Sequence, residues 1–149
     1  MKIALICTHG GHLTEILQLL DAFSGYEIFF ATHHSHRDED LLQIAPAYLS
    51  DNIGVSPWRL FRSIFWAFHI LRKERPDVIL STGAEIALPF FYVGKLLGMK
   101  TIFIEGLFRV ENISRTGRLV YPLADAFFVQ WPELLRICGP KARYEGAVI

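Results

Sequence analysis

The sequence predicts a doubly wound α/β domain, in which helices cover both faces of a mostly parallel sheet. Short apolar runs rich in Ile, Val and Phe alternate along the chain with segments of helical periodicity. Nearly every run is apolar on both faces, which is typical of parallel strands buried between two helix layers. No linker, low-complexity stretch or repeat interrupts the 149 residues, so we predict one domain over residues 1–149.

The individual elements follow from these runs and from the glycines and prolines between them. In chain order, the predicted strands are Ile3–Cys7, Tyr26–Ala31, Tyr48–Ile53, Val78–Ser81, Thr101–Glu105 and Ala126–Val129. The predicted helices lie near Leu13–Phe23, Asp38–Ala45, Pro57–Arg75, Glu85–Leu97, Asn112–Leu123 and Pro132–Cys138. The joins are marked by Gly25, Gly54, Pro76, Gly98 and Gly139.

Composition excludes several classes of protein. The formal net charge is zero and the pI is about 7.0, so no global charge favours nucleic acid as a partner. Cys7 and Cys138 lack C-x-x-C spacing and predict no disulfide, which fits a reducing cytosol. The first residues lack the features of a signal peptide, and no segment reaches the ~18 uninterrupted apolar residues of a spanning helix. We therefore expect a cytoplasmic chain that is either free or bound to a membrane surface.

The turn Gly10-Gly11-His12 closes the first apolar strand and opens a helix, and it is a candidate substrate site. The glycines let the backbone adopt positive φ and approach a ligand closely, and amides at a helix N-terminus favour anionic oxygens. His12 adds a side chain that titrates near neutral pH. The alternative is an ordinary strand-to-helix turn in which the glycines only relieve crowding.

In a doubly wound sheet, ligands bind beyond the carboxyl ends of the strands, where the strand order reverses. The loops Thr8–Leu13, Thr82–Glu85 and Gly106–Arg118 are therefore the places to expect a site. The second loop offers small residues and then a carboxylate at a helix start: Thr82, Gly83, Ala84 and Glu85.

Two charged residues mark the loop after the fifth predicted strand. Glu105 ends the apolar run T-I-F-I, where a carboxylate is desolvated and needs a partner or a chemical role. Arg109 follows just past the end of that strand. For Glu85 the alternative to a role in a site is a first-turn carboxylate that faces the helix dipole.

Two nucleotide-binding patterns and a metal site do not fit. The first loop lacks G-x-G-x-x-G, and the second predicted strand ends in A-T-H where a ribose-binding acid is expected. The phosphate-loop pattern G-x-x-x-x-G-K-[ST] is absent. His33, His34 and His36 have neither helical-pair nor finger spacing, so a polar loop is favoured over a metal site. We predict no metal and no cofactor.

The predicted helix Pro57–Arg75 separates into two faces on a helical wheel. One stripe is basic, with an indole in its middle: Arg59, Arg62, Trp66, His69 and Lys73. The opposite arc is apolar: Leu60, Phe61, Ile64, Phe65, Phe68 and Leu71. We expect the apolar arc to pack on the sheet and the basic stripe to bind an anionic membrane surface. The alternative is a solvated basic face.

Five segments, in this order, resemble one family of proteins. They are G-G-H at Gly10–His12, S-T-G-A-E-I-A-L-P at Ser81–Pro89, I-F-I-E at Ile102–Glu105, A-D-x-F-F-V-Q-W-P-E at Ala124–Glu133 and Y-E-G at Tyr144–Gly146. The sequence resembles the membrane-associated, acceptor-side subunit of two-component GT-B glycosyltransferases. Eukaryotic members anchor the enzyme that adds the second N-acetylglucosamine to dolichol-diphosphate-GlcNAc, and bacterial members act in capsule and exopolysaccharide synthesis.

The resemblance implies a Rossmann-like fold equivalent to the N-terminal half of a GT-B enzyme, with the donor-binding half on a separate partner subunit. The implied acceptor is a lipid-diphosphate-linked saccharide, and the implied donor is a UDP-sugar bound mainly by the partner. The implied reaction is inverting transfer without a bound metal, with His12 and Glu105 as candidates for the base. The implied substrate-binding residues are Gly10, Gly11, Thr82, Gly83, Ala84, Glu85 and, toward a diphosphate, Arg109.

Three functions fit the sequence. The first is the acceptor-binding subunit of a bacterial capsule or exopolysaccharide transferase on the inner face of the cell membrane, with little activity on its own. The second is a non-catalytic scaffold that recruits the transferase to the membrane. The third is a stand-alone nucleotide-binding regulator on a doubly wound fold.

Overall fold

Seven strands form one parallel sheet in the computed structural model, which describes residues 1–52 and 56–148. The strands are β1 (Lys2–Ile6), β2 (Glu27–His33), β3 (Ala47–Ser50), β4 (Val78–Ser81), β5 (Lys100–Ile104), β6 (Ala126–Val129) and β7 (Ala142–Tyr144). Their order across the sheet is β3-β2-β1-β4-β5-β6-β7, and every neighbouring pair is parallel. The order reverses between β1 and β4, so a ligand is expected at the carboxyl ends of these two strands.

Helices cover both faces of the sheet, as predicted. They are α1 (Gly11–Gln18), α2 (Asp38–Ile44), α3 (Pro57–Glu74), α4 (Ala87–Leu96), α5 (Arg115–Val120) and α6 (Leu135–Cys138). Short 3-10 turns at Leu20–Phe23 and Pro132–Leu134 follow α1 and precede α6. Because helices lie on both sides of an all-parallel sheet, the predicted doubly wound α/β fold is confirmed.

Two apolar cores lie on opposite faces of the sheet. The core beneath α3, α4 and α5 is built around aromatic rings: Phe29, Phe90, Phe91, Phe103 and Phe127. The core beneath α1 and α2 is smaller and includes Leu5, Leu13, Ile16, Phe30 and Leu41. Residues of β1 alternate between the two cores, which explains why this strand is apolar on both faces.

Strand pairing shifts several predicted boundaries. β2 continues past its predicted end at Ala31, because its register with β3 pairs His33 with Ser50. The prediction that His33 belongs to a polar loop is therefore wrong. β3 ends at Ser50, whereas the predicted third strand runs to Ile53; Ile53 and the predicted join Gly54 lie outside the described residues. β7, a short strand that adds to the edge beside β6, is not predicted from the sequence.

Helix α3 buries only part of the apolar arc that was predicted to pack on the sheet, namely Leu71 and, in part, Leu60. Its buried side chains are Ser63, Ala67, Ile70 and Leu71. Its exposed large apolar side chains, with 39% to 68% of their surface accessible, are Trp58, Phe61, Ile64, Phe65 and Phe68. The helix has its most extensive contacts with α4, and small side chains on the buried face permit a close approach that phenylalanines would prevent. Trp66 packs edge-on against Phe90, with 5.4 Å between ring centroids, so it is half-buried and not at the centre of a solvated stripe.

Candidate functional site

The Gly-Gly-His turn lies at the carboxyl end of β1, at the point where the strand order reverses. Gly10 precedes α1 with φ 88° and ψ −139°, a conformation that residues with side chains rarely adopt. Its carbonyl accepts a hydrogen bond from the Thr14 backbone N–H at 3.0 Å. Gly10 and Gly11 are exposed, and a Cβ built on either would meet no atom of the described residues within 4 Å. The backbone of this turn is therefore open to a ligand.

His12 lies in the first turn of α1, between the turn after β4 and the loop after β5. The Thr82 hydroxyl donates a hydrogen bond to the His12 carbonyl at 2.8 Å, which joins the first two of these segments. Gly83 adopts φ 133° beneath the imidazole, and a Cβ there would lie 2.7 Å from His12 Cε1. Phe108 packs edge-on against the imidazole, with 5.7 Å between centroids. Position 83 therefore requires glycine if His12 is to keep this place.

Burial lowers the pKa of His12 and outweighs the opposite effects of the Thr82 backbone, Glu105 and Glu85. The Arg109 cation lowers the pKa further. Nδ1 of His12 is buried and has no hydrogen-bond partner among the residues that the structure describes. The imidazole is therefore neutral at pH 7, as a general base must be before it accepts a proton, although Nδ1 itself is enclosed by protein atoms.

Glu105 is buried, and its carboxylate oxygens have local partners. One oxygen accepts hydrogen bonds from the Ser114 backbone N–H at 2.9 Å and the Ser114 hydroxyl at 3.1 Å. The other accepts from the Gly106 backbone N–H at 3.2 Å. The Ser114 hydroxyl in turn accepts from the Gly117 N–H and caps α5. Glu105 thus holds the segment between β5 and α5 in place, and this geometry favours His12 over Glu105 as the base.

A second buried carboxylate, Glu15, is a site residue that sequence reasoning misses. Its oxygens accept from the Leu107 backbone N–H at 3.1 Å and from the Gln130 amide at 3.0 Å. The Gln130 amide also donates to the Glu105 carbonyl at 3.0 Å, and the Trp131 indole N–H donates to the Leu107 carbonyl. Burial raises the pKa of Glu15. The signal that could have found Glu15 is a carboxylate between the buried positions of α1.

Arg109 brings a positive charge to the loop after β5. Its backbone N–H donates to the Gly106 carbonyl at 2.9 Å, which closes a turn. Its guanidinium lies 5.1 Å from the centroid of the exposed Phe108 ring. Nε of Arg109 is buried without a hydrogen-bond partner in the described part of the chain. The cation lies close enough to His12 to lower the pKa of the imidazole.

The ends of β2 and β4 add a third set of polar groups. Ala84 has φ 67°, which turns the chain sharply after β4, and Glu85 follows it. Glu85 Oε1 lies 3.9 Å from Nδ1 of the buried His33. Nε2 of His9 lies 2.7 Å from the His33 carbonyl and 3.4 Å from Asp38 Oδ1. Since the carboxyl ends of β2, β1, β4 and β5 adjoin, these groups and His12 line one edge of the sheet.

The structure brings the predicted substrate and catalytic residues together but places the predicted membrane residues on α3, outside the loops around His12. Arg59, Arg62 and Lys73 are exposed there, and Trp66 is half-buried. Over residues 1–52 and 56–148, no helix is both long enough and apolar enough to cross a bilayer. Within the same ranges, no group of three or more His, Cys, Asp and Glu side chains is arranged to hold a metal ion.

The chemistry available at this edge of the sheet is proton transfer next to an anion. His12 offers a neutral imidazole, Arg109 a cation, and Gly10 and Gly11 accessible backbone. Glu105 and Glu15 fix the loop that carries Arg109. Such a site suits attack by a hydroxyl group with departure of a phosphate-bearing group.

The sequence matches the family of "Oligosaccharide biosynthesis protein Alg14 like" proteins over residues 30–148. It is 26% identical over 181 residues to the UDP-N-acetylglucosamine transferase subunit ALG14 of Rattus norvegicus, covering 100% of this chain and 83% of that protein. It is 40% identical over 173 residues to the subunit of the same name from Candida albicans, covering 99% and 78%. The corresponding Kluyveromyces lactis subunit is 48% identical over 178 residues, covering 94% and 75%.

Solved structures support the fold. The chain superimposes on Acinetobacter baumannii MurG with a TM-score of 0.81 at 17% identity, covering 99% of this chain and 45% of MurG. It superimposes on the UDP-GlcNAc 2-epimerase of Methanocaldococcus jannaschii with a TM-score of 0.77 at 16% identity, covering 99% and 46%. The chain thus spans less than half the length of these proteins and corresponds to the N-terminal half of GT-B enzymes such as MurG.

Proposed function

This chain belongs to the Alg14-like family of oligosaccharide biosynthesis proteins, and on that premise we propose that it is the acceptor-binding subunit of a heteromeric glycosyltransferase. The donor is a UDP-sugar, because relatives at 26% to 48% identity are named UDP-N-acetylglucosamine transferase subunits. A separate partner subunit supplies most of the donor site, because the relatives are named as subunits of a transferase. The acceptor is a saccharide linked to a lipid through a diphosphate.

The observation that carries the proposal is the state of His12. Its pKa is lowered by burial, which keeps the imidazole neutral at pH 7, and it lies at the reversal of strand order beside the open backbone of Gly10 and Gly11. In the proposed reaction the acceptor hydroxyl oxygen forms a bond to C1 of the donor sugar while the bond from C1 to the UDP oxygen breaks. His12 takes the hydroxyl proton, and UDP leaves with the electron pair of the broken bond.

Other residues of the site support this step without forming bonds to the sugar. The Arg109 guanidinium and the amides of the Gly10–His12 turn stabilise diphosphate charge as it develops. Glu105 and Glu15 position the loop that carries Arg109. Thr82, Gly83 and Ala84 shape the acceptor side of the cleft, with Glu85 at its edge. Attack opposite the leaving group inverts the configuration at C1.

We propose that the protein acts at the cytoplasmic surface of a membrane. Helix α3 binds the lipid surface there without crossing the bilayer. The exposed aromatic face of α3, defined as Trp58, Phe61, Ile64, Phe65 and Phe68, offers side chains that favour the headgroup boundary. Four basic residues at the two ends of the helix favour an anionic leaflet: Arg59, Arg62, Arg72 and Lys73. We still predict that the process in which this subunit acts is capsule or exopolysaccharide synthesis in a bacterium.

Reconstitution tests the proposal. Purified chain, partner subunit, UDP-GlcNAc and a lipid-diphosphate-linked saccharide are combined, and sugar transfer is measured with each component omitted in turn. We expect no appreciable transfer by the chain alone, because one wall of the cleft does not hold donor and acceptor in line. We expect transfer with the partner, and a loss of ~10²-fold with His12→Ala.

The same assay separates the transferase subunit from a scaffold. If His12→Ala supports wild-type transfer while omission of the chain abolishes it, the chain recruits the enzyme without supplying the base. Robust turnover by the chain alone, without any partner, would overturn the two-subunit proposal.

A further inference from the structure

A cavity of about 580 Å3 opens between the carboxyl end of β3 and the first turns of α3. Its polar lining comes from His34, Ser50, Asp51, Arg59 and Arg62, and Trp66 contributes an aromatic wall. β3 is two strands away from β1 in the sheet, so the cavity lies roughly 10 Å across from the strand end that carries the His12 turn. It is therefore a separate place at the same edge of the sheet.

The cavity has an excess of positive charge. Arg59 donates a hydrogen bond to the Asn52 carbonyl at 3.3 Å, and within residues 1–52 and 56–148 neither Arg59 nor Arg62 forms an ion pair. Asp51 contributes the opposing carboxylate of the lining. His34 turns to Asp38, with 3.1 Å between Nδ1 and Oδ2. Two guanidinium groups thus face one carboxylate, in a chain whose formal net charge is zero.

The start of α3 adds to this charge. Its first turn contains no acidic residue, and the Ser56 side chain does not cap it. Free backbone N–H groups carry partial positive charge at a helix start, where acidic side chains are normally preferred. Arg59 and Arg62 in the first two turns are therefore unfavourable for the helix alone. A bound anion would make the same arrangement favourable.

The helix that contributes the two arginines of the cavity also carries the exposed aromatic face. Trp58 and Phe61 alternate along the helix with Arg59 and Arg62, and both aromatic side chains are at least half exposed. An anionic group on an apolar chain matches this combination, because the head group meets the arginines while the chain meets the aromatic rings. Phosphate esters suit paired guanidinium groups, which bind their oxygens in a bidentate manner.

We propose that this cavity binds the diphosphate of the lipid carrier to which the acceptor saccharide is attached. The inference rests on the proposed transferase function, and it defines the orientation of the bound acceptor. The saccharide spans from β3 to β1, so that its hydroxyl reaches His12 while the lipid leaves along α3 toward the bilayer. Arg109, on the far side of His12, then faces the diphosphate of the donor.

The test measures binding without turnover. The full chain is titrated with phosphatidylcholine vesicles that contain farnesyl diphosphate or, at equal surface charge, farnesyl monophosphate. Inorganic pyrophosphate is added as a soluble competitor. We expect a preference of about tenfold for the diphosphate lipid, the size of one lost charge-assisted contact. Arg59→Gln with Arg62→Gln removes this preference, and Arg59→Lys with Arg62→Lys retains part of it because charge remains without the planar fork.

A matched control removes the same charge elsewhere on the helix. Arg72→Gln with Lys73→Gln lies at the opposite end of α3, outside the cavity. This variant weakens binding to both anionic vesicles but keeps the preference for diphosphate over monophosphate. The thermal unfolding midpoint of each variant is measured to verify that the substitutions leave the fold intact.

Three results would overturn the inference. In the first, the glutamine pair in the cavity lowers binding to both lipids by the same factor, which makes the arginines general membrane contacts. In the second, the preference survives in that pair and is lost in Arg109→Gln, which places the diphosphate beside His12. In the third, pyrophosphate alone binds as tightly as the lipid, which makes the cavity a site for a soluble anion. A chain that supports sugar transfer with its partner but shows any of these results disproves this inference and leaves the proposed function intact.

Discussion

His12 is partly buried at the reversal of strand order, and this burial gives the proposed base a specific pH dependence. Because burial lowers its pKa below the ordinary value of 6.5, the neutral imidazole persists to lower pH than in a free histidine. We expect kcat/KM of the reconstituted enzyme to fall on the acid side with an apparent pKa below 6.5. His12→Ala should remove this limb, whereas His36→Ala, at an exposed position, should keep it.

The same shift has a consequence for stability. A histidine with a lowered folded pKa binds a proton more weakly in the folded than in the unfolded chain. Its contribution to stability is therefore complete above pH 6.5 and is lost as the pH falls from 6.5 through the folded pKa. Denaturant unfolding of the wild type and His12→Ala across pH 5 to 7 measures it, and parallel curves for the two proteins would contradict the assignment.

Glu105 is expected to act through structure. Glu105→Gln replaces one acceptor oxygen with a donor next to the Ser114 N–H and hydroxyl, so hydrogen bonds are lost at a buried position. We expect the free energy of unfolding to fall by about 1–3 kcal/mol, with a similar direction for Ser114→Ala. A Glu105→Gln variant that unfolds like the wild type but transfers ~10²-fold more slowly would instead make Glu105 the base.

Gly83 shows how a backbone position protects a side chain. Gly83→Ala would strain a backbone at φ 133° and place its Cβ 2.7 Å from the imidazole of His12. We expect a loss of stability of about 1–3 kcal/mol and a marked fall in transfer, because His12 must move. Gly98→Ala is a matched control, since it also has positive φ, at 80°, but meets no described atom within 4 Å. Its stability should fall while transfer by the folded protein is kept.

The loop after β5 depends on α1 through Glu15. Because burial raises the Glu15 pKa, the carboxyl group costs stability when it ionises, and this cost grows as the pH rises from the unfolded pKa, about 4.3, through the folded pKa. Glu15→Gln removes this cost but leaves one of the two donors facing an amide N–H, so at pH 7 it should lose less stability than Glu15→Ala. Glu15→Ala should lose about 1–3 kcal/mol, because the Leu107 N–H and the Gln130 amide lose their acceptor. Chemical denaturation at pH 4 and pH 7 checks both, and equal losses for the two variants would contradict the role of burial.

Helix α3 should bind membranes through its aromatic face. Replacing Phe61, Phe65 and Phe68 with serine should abolish sedimentation with anionic vesicles and leave stability unchanged or higher, since these rings are 43% to 60% exposed. Leu96→Ser, on α4 and 83% exposed, is the control and should bind normally. Trp66→Ala should mainly lower stability, because the indole packs on Phe90. Normal binding by the serine variant would leave α3 as a solvated helix.

Salt separates the two contributions to this binding. Charge attraction from the four basic residues weakens as ionic strength rises, whereas burial of the aromatic rings does not. Binding of the wild type should fall with salt to a residual level, and the serine variant should lack that residual level.

The face of α3 could not be predicted from its own sequence. A wheel divides the helix into a basic and an apolar side, but the buried residues Ser63, Ala67 and Ile70 belong to neither side. Here α4 offers a close contact for Ser63 and Ala67, and the phenylalanines are left outside. Glu15 and Gln130 were hidden for a related reason, because their partners are backbone groups that lie 92 and 25 residues away in the chain.

For the domain as a unit, the apolar runs predicted six of the seven strands described, because burial on both faces is visible in composition. The missing strand, β7, contains the exposed Arg143 and Tyr144 and has no apolar pattern to reveal it. The loops at the reversal of strand order were predicted for the same topological reason. Which groups in them pair with one another depends on side-chain packing that only the folded chain determines.

The position of β1 inside the sheet, between β2 and β4, governs how the chain must fold. β1 pairs with β2 nearby but also with β4, where Lys2 meets Asp77 across 75 residues. Before β4 has been synthesised and has paired, the backbone N–H and C=O groups along one edge of β1 have no partner. A ribosome-bound chain would expose this edge, which favours aggregation. Such non-local pairing slows folding, so refolding should be slower than for a helical bundle of this length. A fragment ending at Arg75 should show no cooperative unfolding transition, and a sharp one would mean that the first half folds unaided.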